Sequence, residues 1–350
     1  MHANIWKNRI NQIEKALSQW DVSALLIEDP VDLFYLTGAR LSFGKLIVEP
    51  AKSTLYTDHR YYSEIQTTVQ VPCAVYNKDA LLERMQSFRS CGFDADKTSY
   101  ALYAERKKQI ENLTPINSTM RFFRAIKDQQ EISEMQRACK ITEKGYIALQ
   151  KKVHEGMQEK DLALFFSRFI VDEGAICPSF DPNVSFGANG SYPHHRPSDQ
   201  RLEKNDIILV DIGANYQGYC ADMTRVFMHG EGKERGRHLY TLAIKAYEKA
   251  ASYCKEGALV KDLDAAAREE LRKHNMDAYF THSLGHGVGL DIHEFPSINQ
   301  TGPDKDVALK AGMVITIEPG IYLPGEIGVR YENTLLITKN GYENLFTSTI

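Results

Sequence analysis

Long apolar runs are missing from this chain. No stretch approaches 18 consecutive apolar residues, so no membrane-spanning helix is expected. Paired cysteines are missing too. Cys73, Cys91, Cys139, Cys177, Cys220 and Cys254 lie far apart with no CxxC pair, which argues against a zinc ribbon, a redox motif or a small disulfide scaffold. There is no excess of positive charge: the formal net charge is -4, so no basic face is available to hold a phosphate backbone, and nucleic acid is not an expected partner. The opening residues MHANIWKNRINQIEKAL interleave charges and lack the apolar core of a signal peptide. These absences together lead to the expectation of a cytoplasmic protein in a reducing compartment.

What is present is an ordinary globular composition, 43% hydrophobic and 25% charged over 350 residues, which suggests two domains. Ile5, Trp6, Ile10, Ile13, Leu17 and Trp20 recur at helical spacing and predict an opening helix that ends before Asp21. Short apolar runs follow at 23–28, 45–50, 53–58 and 71–76, punctuated by Asp-Pro, Gly and Glu-Pro, and a helix is expected around 81–89. These features predict a small α/β domain over residues 1–125, without a phosphate loop or a cluster of metal ligands, that serves as scaffold or lid. From 121 to 140 the chain turns highly charged and opens a long helical pattern, which sets the start of a second domain, 126–350.

The second domain reads as written twice. HEGMQEKDLA (154–163) recurs as KEGALVKDLD (255–264), and LEKNDIILVDIG (202–213) recurs as LKAGMVITIEPG (309–320). Two units of helix, helix, strand, strand in matched order predict an α+β fold with a pseudo-twofold axis, its sheets side by side and its helices on one face.

Chemistry concentrates in THSLGHGVGLDIHEFP (281–296), where His282, His286 and His293 stand four and seven residues apart. Histidine is the side chain whose ordinary pKa lets it act as acid, base or metal ligand near neutrality. The matching carboxylates are Asp211 and Asp222 in DIGANYQGYCAD, then Glu318 at the end of MVITIE and Glu332 in GVRYENTLLIT. A turn centred between Tyr216 and Gln217 would put Asp211 and Asp222 directly opposite each other on one hairpin face, with Cβ atoms roughly 4.5 to 5.5 Å apart. Like charges so placed destabilise a hairpin unless a cation or proton lies between them. One acid on a strand is commonly a surface residue. Four in duplicated positions, with imidazoles between, favour metal binding, and the set is too large for one tetrahedral zinc. Its mostly oxygen donors suit two divalent ions per chain, with manganese favoured and cobalt or zinc as alternatives.

At these residues the chain resembles the metallopeptidases of the creatinase/aminopeptidase "pita-bread" fold, in the branch of Xaa-Pro aminopeptidases and Xaa-Pro dipeptidases. The resemblance rests on DIGANYQGYCADMTR, HSLGHGVGLDIHE and IEPGIYLPGEIGVRYENTLLIT, and it extends to a creatinase-type N-terminal domain. It implies that Asp211 and Asp222 hold one metal and His286 and Glu318 the other, with Asp222 and Glu332 bridging. His194 would match the family's histidine upstream of the first aspartate, although His195 stands where glycine is frequent. His293 would match the one after the metal-binding histidine. His282, Tyr322 and Arg330 match positions that line a pocket for proline. The implied mechanism makes Glu318 the base toward a water activated by the two ions, His293 the donor to the oxyanion, and His194 the group that protonates the leaving nitrogen.

The substrate expected from the sequence is a peptide longer than two residues with proline second, losing its first residue. Two features carry that expectation: few basic residues beyond Arg330 offer to pair a free C-terminal carboxylate, and serine follows the first histidine of HSLGHG where several dipeptidases have arginine. Arg196 could supply the pairing, so a dipeptidase is the alternative. A metal-free binding protein or creatinase-like hydrolase ranks lower because all five ligands are present, and the extra N-terminal domain speaks against a methionine aminopeptidase. A homodimer acting on proline-containing peptides completes the expectation.

Overall fold

The structure is a computed structural model, and it describes residues 3–231 and 234–347. Two compact units divide the chain, Met1–Arg124 and Ala125–Ile350.

In the first unit the short apolar runs become strands because they are too short for helices and are bounded by turn residues. They are β1 (Ala24–Ile27), β2 (Lys45–Val48), β3 (Thr54–Thr57), β4 (Cys73–Val75), β5 (Cys91–Asp94) and β6 (Leu113–Ile116), in one mixed sheet of order β4-β3-β2-β1-β5-β6. Strand β1 is antiparallel to β2 and parallel to β5. Helices α1 (Ala3–Ala16), α2 (Pro30–Thr37), α3 (His59–Thr68), α4 (Lys78–Gln86), α5 (Tyr100–Lys107) and α6 (Arg121–Ala125) connect them or follow. Asp29 starts α2 by accepting from the Val31 and Asp32 amides, with Pro30 in the first turn where its missing N–H costs nothing. Ala24, Leu26, Ile47, Phe93 and Leu113 form a core with Leu81 and Met85 of α4.

The second unit opens with α7 (Gln129–Lys152), whose Asp128 and Glu131 form a reciprocal capping box. Helix α8 (Glu159–Asp172) follows, then strands β7 (Cys177–Pro178), β8 (Asn183–Phe186), β9 (Ile207–Ile212), β10 (Ala214–Tyr216), β11 (Tyr219–Cys220) and β12 (Met223–Met228). The second half repeats the order with α9 (Glu234–Ala251) and α10 (Val260–Arg272). Its strands are β13 (Gly285–Gly287), β14 (Glu294–Ile298), β15 (Val314–Ile317), β16 (Gly320–Leu323), β17 (Ile327–Arg330), β18 (Asn333–Ile337) and β19 (Tyr342–Asn344). The principal sheets are β12-β9-β8 and β14-β13-β15-β18-β19.

The duplication is visible in backbone bonding. Gln158 bridges Arg201 where Leu259 bridges Ala308, and Gly156 N donates to Leu202 O as Gly257 N donates to Leu309 O, each at 2.8 Å. The apolar faces of α9 and α10 bury Leu239, Leu242, Ala246, Leu263 and Leu271 against Ile315, Ile317, Val329 and Leu335 of the strands. No helix among the described residues is long and apolar enough to cross a membrane, and the six cysteines are free thiols.

The turn between β10 and β11 differs from the expected register. Asn215 pairs with Cys220 and Tyr216 with Tyr219, so the turn centres on Gln217 and Gly218, both at positive φ (52° and 96°). That is the mirror-image turn whose twist suits a hairpin. Asp211 therefore faces Thr224 across β9 and β12, and Asp222 is its diagonal neighbour rather than its direct partner. A shift of two residues keeps both acids on one face, because strand side chains alternate with period two.

Candidate metal and active site

The acids stand where strands end. Asp211 lies one residue before the end of β9, Asp222 directly precedes β12, Glu318 directly follows β15, and Glu332 directly precedes β18. His286 is the middle residue of β13. Glycines flank it because a Cβ at 285 would meet Thr316 O at 2.1 Å and one at 287 would meet Phe295 O at 2.2 Å. This close approach lets a three-residue strand lie between β14 and β15 and aim one imidazole at the acids. Every candidate residue except Tyr322 lines a single cavity of about 660 Å³, and Tyr322 reaches it by bonding His282 and Arg330.

Within that cavity one ligand atom each from Asp222, His286 and Glu332 lie within 4.8 Å of one another. His286 Nδ1 is 3.0 Å from Gly287 O, which can only accept, so Nδ1 carries the proton and Nε2 presents a lone pair. That Nε2 is 3.5 Å from both Asp222 Oδ2 and Glu318 Oε1. Burial lowers the His286 pKa to about 4, with the neighbouring His293 adding to the effect, so the ring is neutral and ready to ligate. The two rings meet edge to face with centroids 4.4 Å apart.

Arg330 organises the opposite wall. Its Nη2 donates to Asp211 Oδ2 at 2.6 Å, Nη1 to Tyr322 Oη at 2.6 Å, and Nε to Thr224 Oγ1 at 3.0 Å. Thr224 Oγ1 in turn donates a hydrogen bond to Glu332 Oε2 at 2.7 Å. His282 Nδ1 faces Ser283 O at 2.8 Å, leaving Nε2 to accept from Tyr322 Oη at 2.9 Å. The His282 pKa falls to about 3 through burial and then the Arg330 charge, and burial pushes the Tyr322 phenol up to about 12. Burial alone would lower the Arg330 pKa, but Tyr322, Asp211, Glu318 and Glu332 outweigh it and raise it, so the guanidinium stays charged.

Four carboxyl groups thus surround one fixed cation. Burial first, and then Glu332, Asp211 and Glu318, raise Asp222 well above the usual carboxylate range. Glu318 is raised in the same way, by burial and then Glu332. Glu332 is pushed up to about 8 by burial and then the Asp211 charge. Asp211 Oδ1 is buried and has no hydrogen-bond partner. An orphaned buried acceptor, a lone pair on His286 and acids that resist ionisation without further positive charge are what a divalent-cation site presents before its ion is counted. The residues fit a divalent metal.

His194 and His293 are exposed on the cavity lining, and His293 has its pKa lowered by burial and then by the charge of His194. His195 lines the cavity as well, but its Nε2 is engaged by Glu159 Oε2 at 2.8 Å. Arg196, exposed, also lines the cavity.

Several residues of the site drew no attention in the sequence. Besides Thr224, the pair Lys127–Glu294 is buried with Nζ to Oε2 at 3.1 Å, and Glu294 Oε1 accepts from Asp291 N at 3.1 Å, pinning the turn that carries His293. Arg268 donates to Phe280 O at 2.8 Å and to His282 O at 2.6 Å while Asp264 holds it. The available signal was the helical spacing of Asp264 and Arg268, which reads as an ordinary surface pair.

Such a fold and such a centre define a metal-dependent hydrolase. The chain belongs to metallopeptidase family M24, whose model matches residues 133–339, and residues 9–126 match the creatinase/prolidase N-terminal domain. The fold is thus the pita-bread fold behind a creatinase-type N-terminal domain, as the resemblance implied. An Xaa-Pro dipeptidase of Pyrococcus furiosus is 34% identical over 343 residues, covering 97% of each chain. The prolidase structure from Pyrococcus horikoshii superposes with a TM-score of 0.92 at 32% identity, covering 97% of this chain and 98% of that one. An X-Pro aminopeptidase from Thermotoga maritima superposes at 0.87 with 29% identity, covering 95% and 98%. The proline-peptidase branch expected from the sequence is the right one, and within it the relatives favour the dipeptidase alternative over the aminopeptidase first expected.

Proposed function

We propose that the chain is an Xaa-Pro dipeptidase that hydrolyses dipeptides with proline in second position. The observation that carries the reading is full-length similarity to an Xaa-Pro dipeptidase, and the presence of Arg196 on the cavity lining supports it. The sequence argument against a dipeptidase was the shortage of a cation for the substrate's free carboxylate. Arg330 is engaged by Asp211, Tyr322 and Thr224, so Arg196 is the guanidinium that pairs with that carboxylate.

Asp211, Asp222, His286, Glu318 and Glu332 would hold two divalent ions, which when bound supply an activated water and polarise the scissile carbonyl. Glu318 accepts a proton from the attacking water. His293, on the cavity lining, points an N–H at the developing oxyanion. A peptide-bonded proline nitrogen has no hydrogen, so its departure as an amine needs one delivered, and His194 delivers it. His282, neutral and bonded to Tyr322, walls the proline pocket. Six free thiols suit a reducing compartment, which supports a cytoplasmic location.

The test compares kcat/KM for an Xaa-Pro dipeptide and for the same dipeptide extended by two residues. The dipeptide should be cleaved and the longer peptide should resist. Comparable cleavage of the longer peptide would replace this reading with the aminopeptidase one, which the Thermotoga maritima neighbour keeps in view.

A further inference from the structure

Glu159, the first residue of α8, is fully buried and does not line the cavity. Its carboxylate nevertheless collects five hydrogen bonds. Oε1 accepts from Phe186 N at 2.7 Å and Asn189 Nδ2 at 2.9 Å. Oε2 accepts from His195 Nε2 at 2.8 Å, Ser198 N at 2.9 Å and Ser198 Oγ at 2.6 Å. All five donors belong to segment 186–198, which leaves the end of β8 and carries His194 to the cavity. Asn183 Nδ2 holds the segment at Pro193 O, 3.1 Å away, just before His194. Directly after His194, the side-chain anchor is Glu159, through His195 and Ser198. These donors outweigh the burial that would raise its pKa and keep the carboxylate ionised.

The duplicated half shows that the fold itself does not require an acid there. Val260 starts α10 as Glu159 starts α8. Glu159 N donates to Gln200 O at 3.2 Å and Val260 N to Val307 O at 3.0 Å, and the ion pair Lys160–Asp199 beside one is matched by Lys261–Asp306 beside the other. The backbone frame is common to both halves. At this position the carboxylate is present in the half whose facing segment carries His194 and absent from the other, where Asp264 of α10 accepts from Gln300 N and Arg268 instead.

We propose that Glu159 is a positioning residue for His194, holding segment 186–198 so that this imidazole stays over the reacting bond. The proposal rests on the role given to His194 above. Glu159→Gln keeps the volume but turns one acceptor into a donor facing donors, which releases the segment. A displacement of about 1 Å costs roughly a hundredfold in rate when a proton must be delivered, so kcat at saturating dipeptide should fall by about tenfold to a hundredfold while metal affinity is unchanged. The decisive measurement is the double-mutant cycle: in a His194→Ala background, adding Glu159→Gln should lower kcat by less than about twofold. Equal losses in both backgrounds would overturn the proposal and leave Glu159 a stability residue. Unchanged kcat in Glu159→Gln would overturn it as well. If His194→Ala alone keeps full kcat, the His194 role fails and this proposal with it, an outcome distinct from the other two. Should Glu159→Gln fail to fold, His195→Ala removes one of the five bonds; a smaller loss of kcat that vanishes in the His194→Ala background supports the proposal, and a loss that persists there refutes it.

Discussion

Thr224→Val tests the network behind the acids with the smallest change of shape. Thr224 is fully buried on β12, and its hydroxyl accepts from Arg330 Nε and donates to Glu332 Oε2. Valine fills the same space and does neither. Arg330 keeps its bonds to Tyr322 and Asp211, but its Nε and the Glu332 oxygen each lose a partner inside the protein. Leaving a buried polar group unsatisfied costs about 1–3 kcal/mol, so with two such groups the metal-free protein should lose about 2–6 kcal/mol. For a unit of this size each kcal/mol moves Tm by about 2–4 °C, which gives a drop of about 4–24 °C. Trp6 and Trp20 both lie in Met1–Arg124, so calorimetry, and not tryptophan fluorescence, is the assay for this transition. The hydroxyl also favours the ionised form of Glu332; without it, divalent-metal affinity by calorimetric titration should weaken by about tenfold to a hundredfold, as for other groups that support a ligand. Thr224→Ser, which keeps the hydroxyl, should restore most of both losses. A valine variant with unchanged Tm and unchanged metal affinity would refute the network as described.

Exhaustive chelation should abolish turnover, and Asp222→Asn or Glu332→Gln should lower kcat by more than about a hundredfold, since each removes charge that balances bound cations; full activity in a chelator would exclude metal dependence. His293→Ala should raise the barrier by about 2–4 kcal/mol if it is an oxyanion donor, with metal content measured in parallel; loss of metal along with activity would make it a ligand or structural residue instead. The chelated protein should lose stability as pH rises from 6.5 to 8.5. Glu332, at about 8 in the fold against 4.5 as its ordinary value, and Asp222 and Glu318, shifted the same way, bind protons more tightly folded than unfolded, so their contribution is lost as pH climbs through the folded values. His282 and His286, lowered to about 3 and 4, act in the opposite sense, but only below their ordinary 6.5. Denaturation midpoints flat or rising with pH across that window would contradict the assignment.

The four candidate carboxylates were legible because acids on apolar strands are costly and duplication made the cost visible twice, and His286 because it stands in a cluster of three histidines. The register of the first hairpin was not. Asn215 and Gly218 suggested a turn centred one residue early, whereas Gln217 adopts positive φ without being glycine or asparagine, a choice that local preference does not reveal. Glu159 was invisible for another reason. An acid in the first turn of a helix is an everyday partner of the helix dipole, and the donors that make this one different lie 27 to 39 residues away. Arg196 shows the same limit, since its place on the cavity lining depends on how segment 186–198 is held. In the first unit the strands could be read from their apolar runs, but nothing in those runs states that β1 lies between β2 and β5.

The duplication also accounts for the division of labour within the centre. Asp211 and Glu318 occupy matching ends of β9 and β15, and Asp222 and Glu332 matching starts of β12 and β18. Even their supports correspond: Thr224 donates to the Glu332 side chain, and Thr334, two residues beyond Glu332 as Thr224 is beyond Asp222, donates to Asp222 O at 2.9 Å. The carboxylate frame is therefore close to symmetric. The imidazoles are not symmetric. His282, His286 and His293 all come from the second half, and the first half answers with His194 and His195, on a segment anchored by Glu159. A symmetric frame could hold a water but gives it no preferred face to attack. The histidines break that symmetry, and on the function proposed above they would supply the direction, His293 as oxyanion donor and His194 as proton donor to the departing nitrogen.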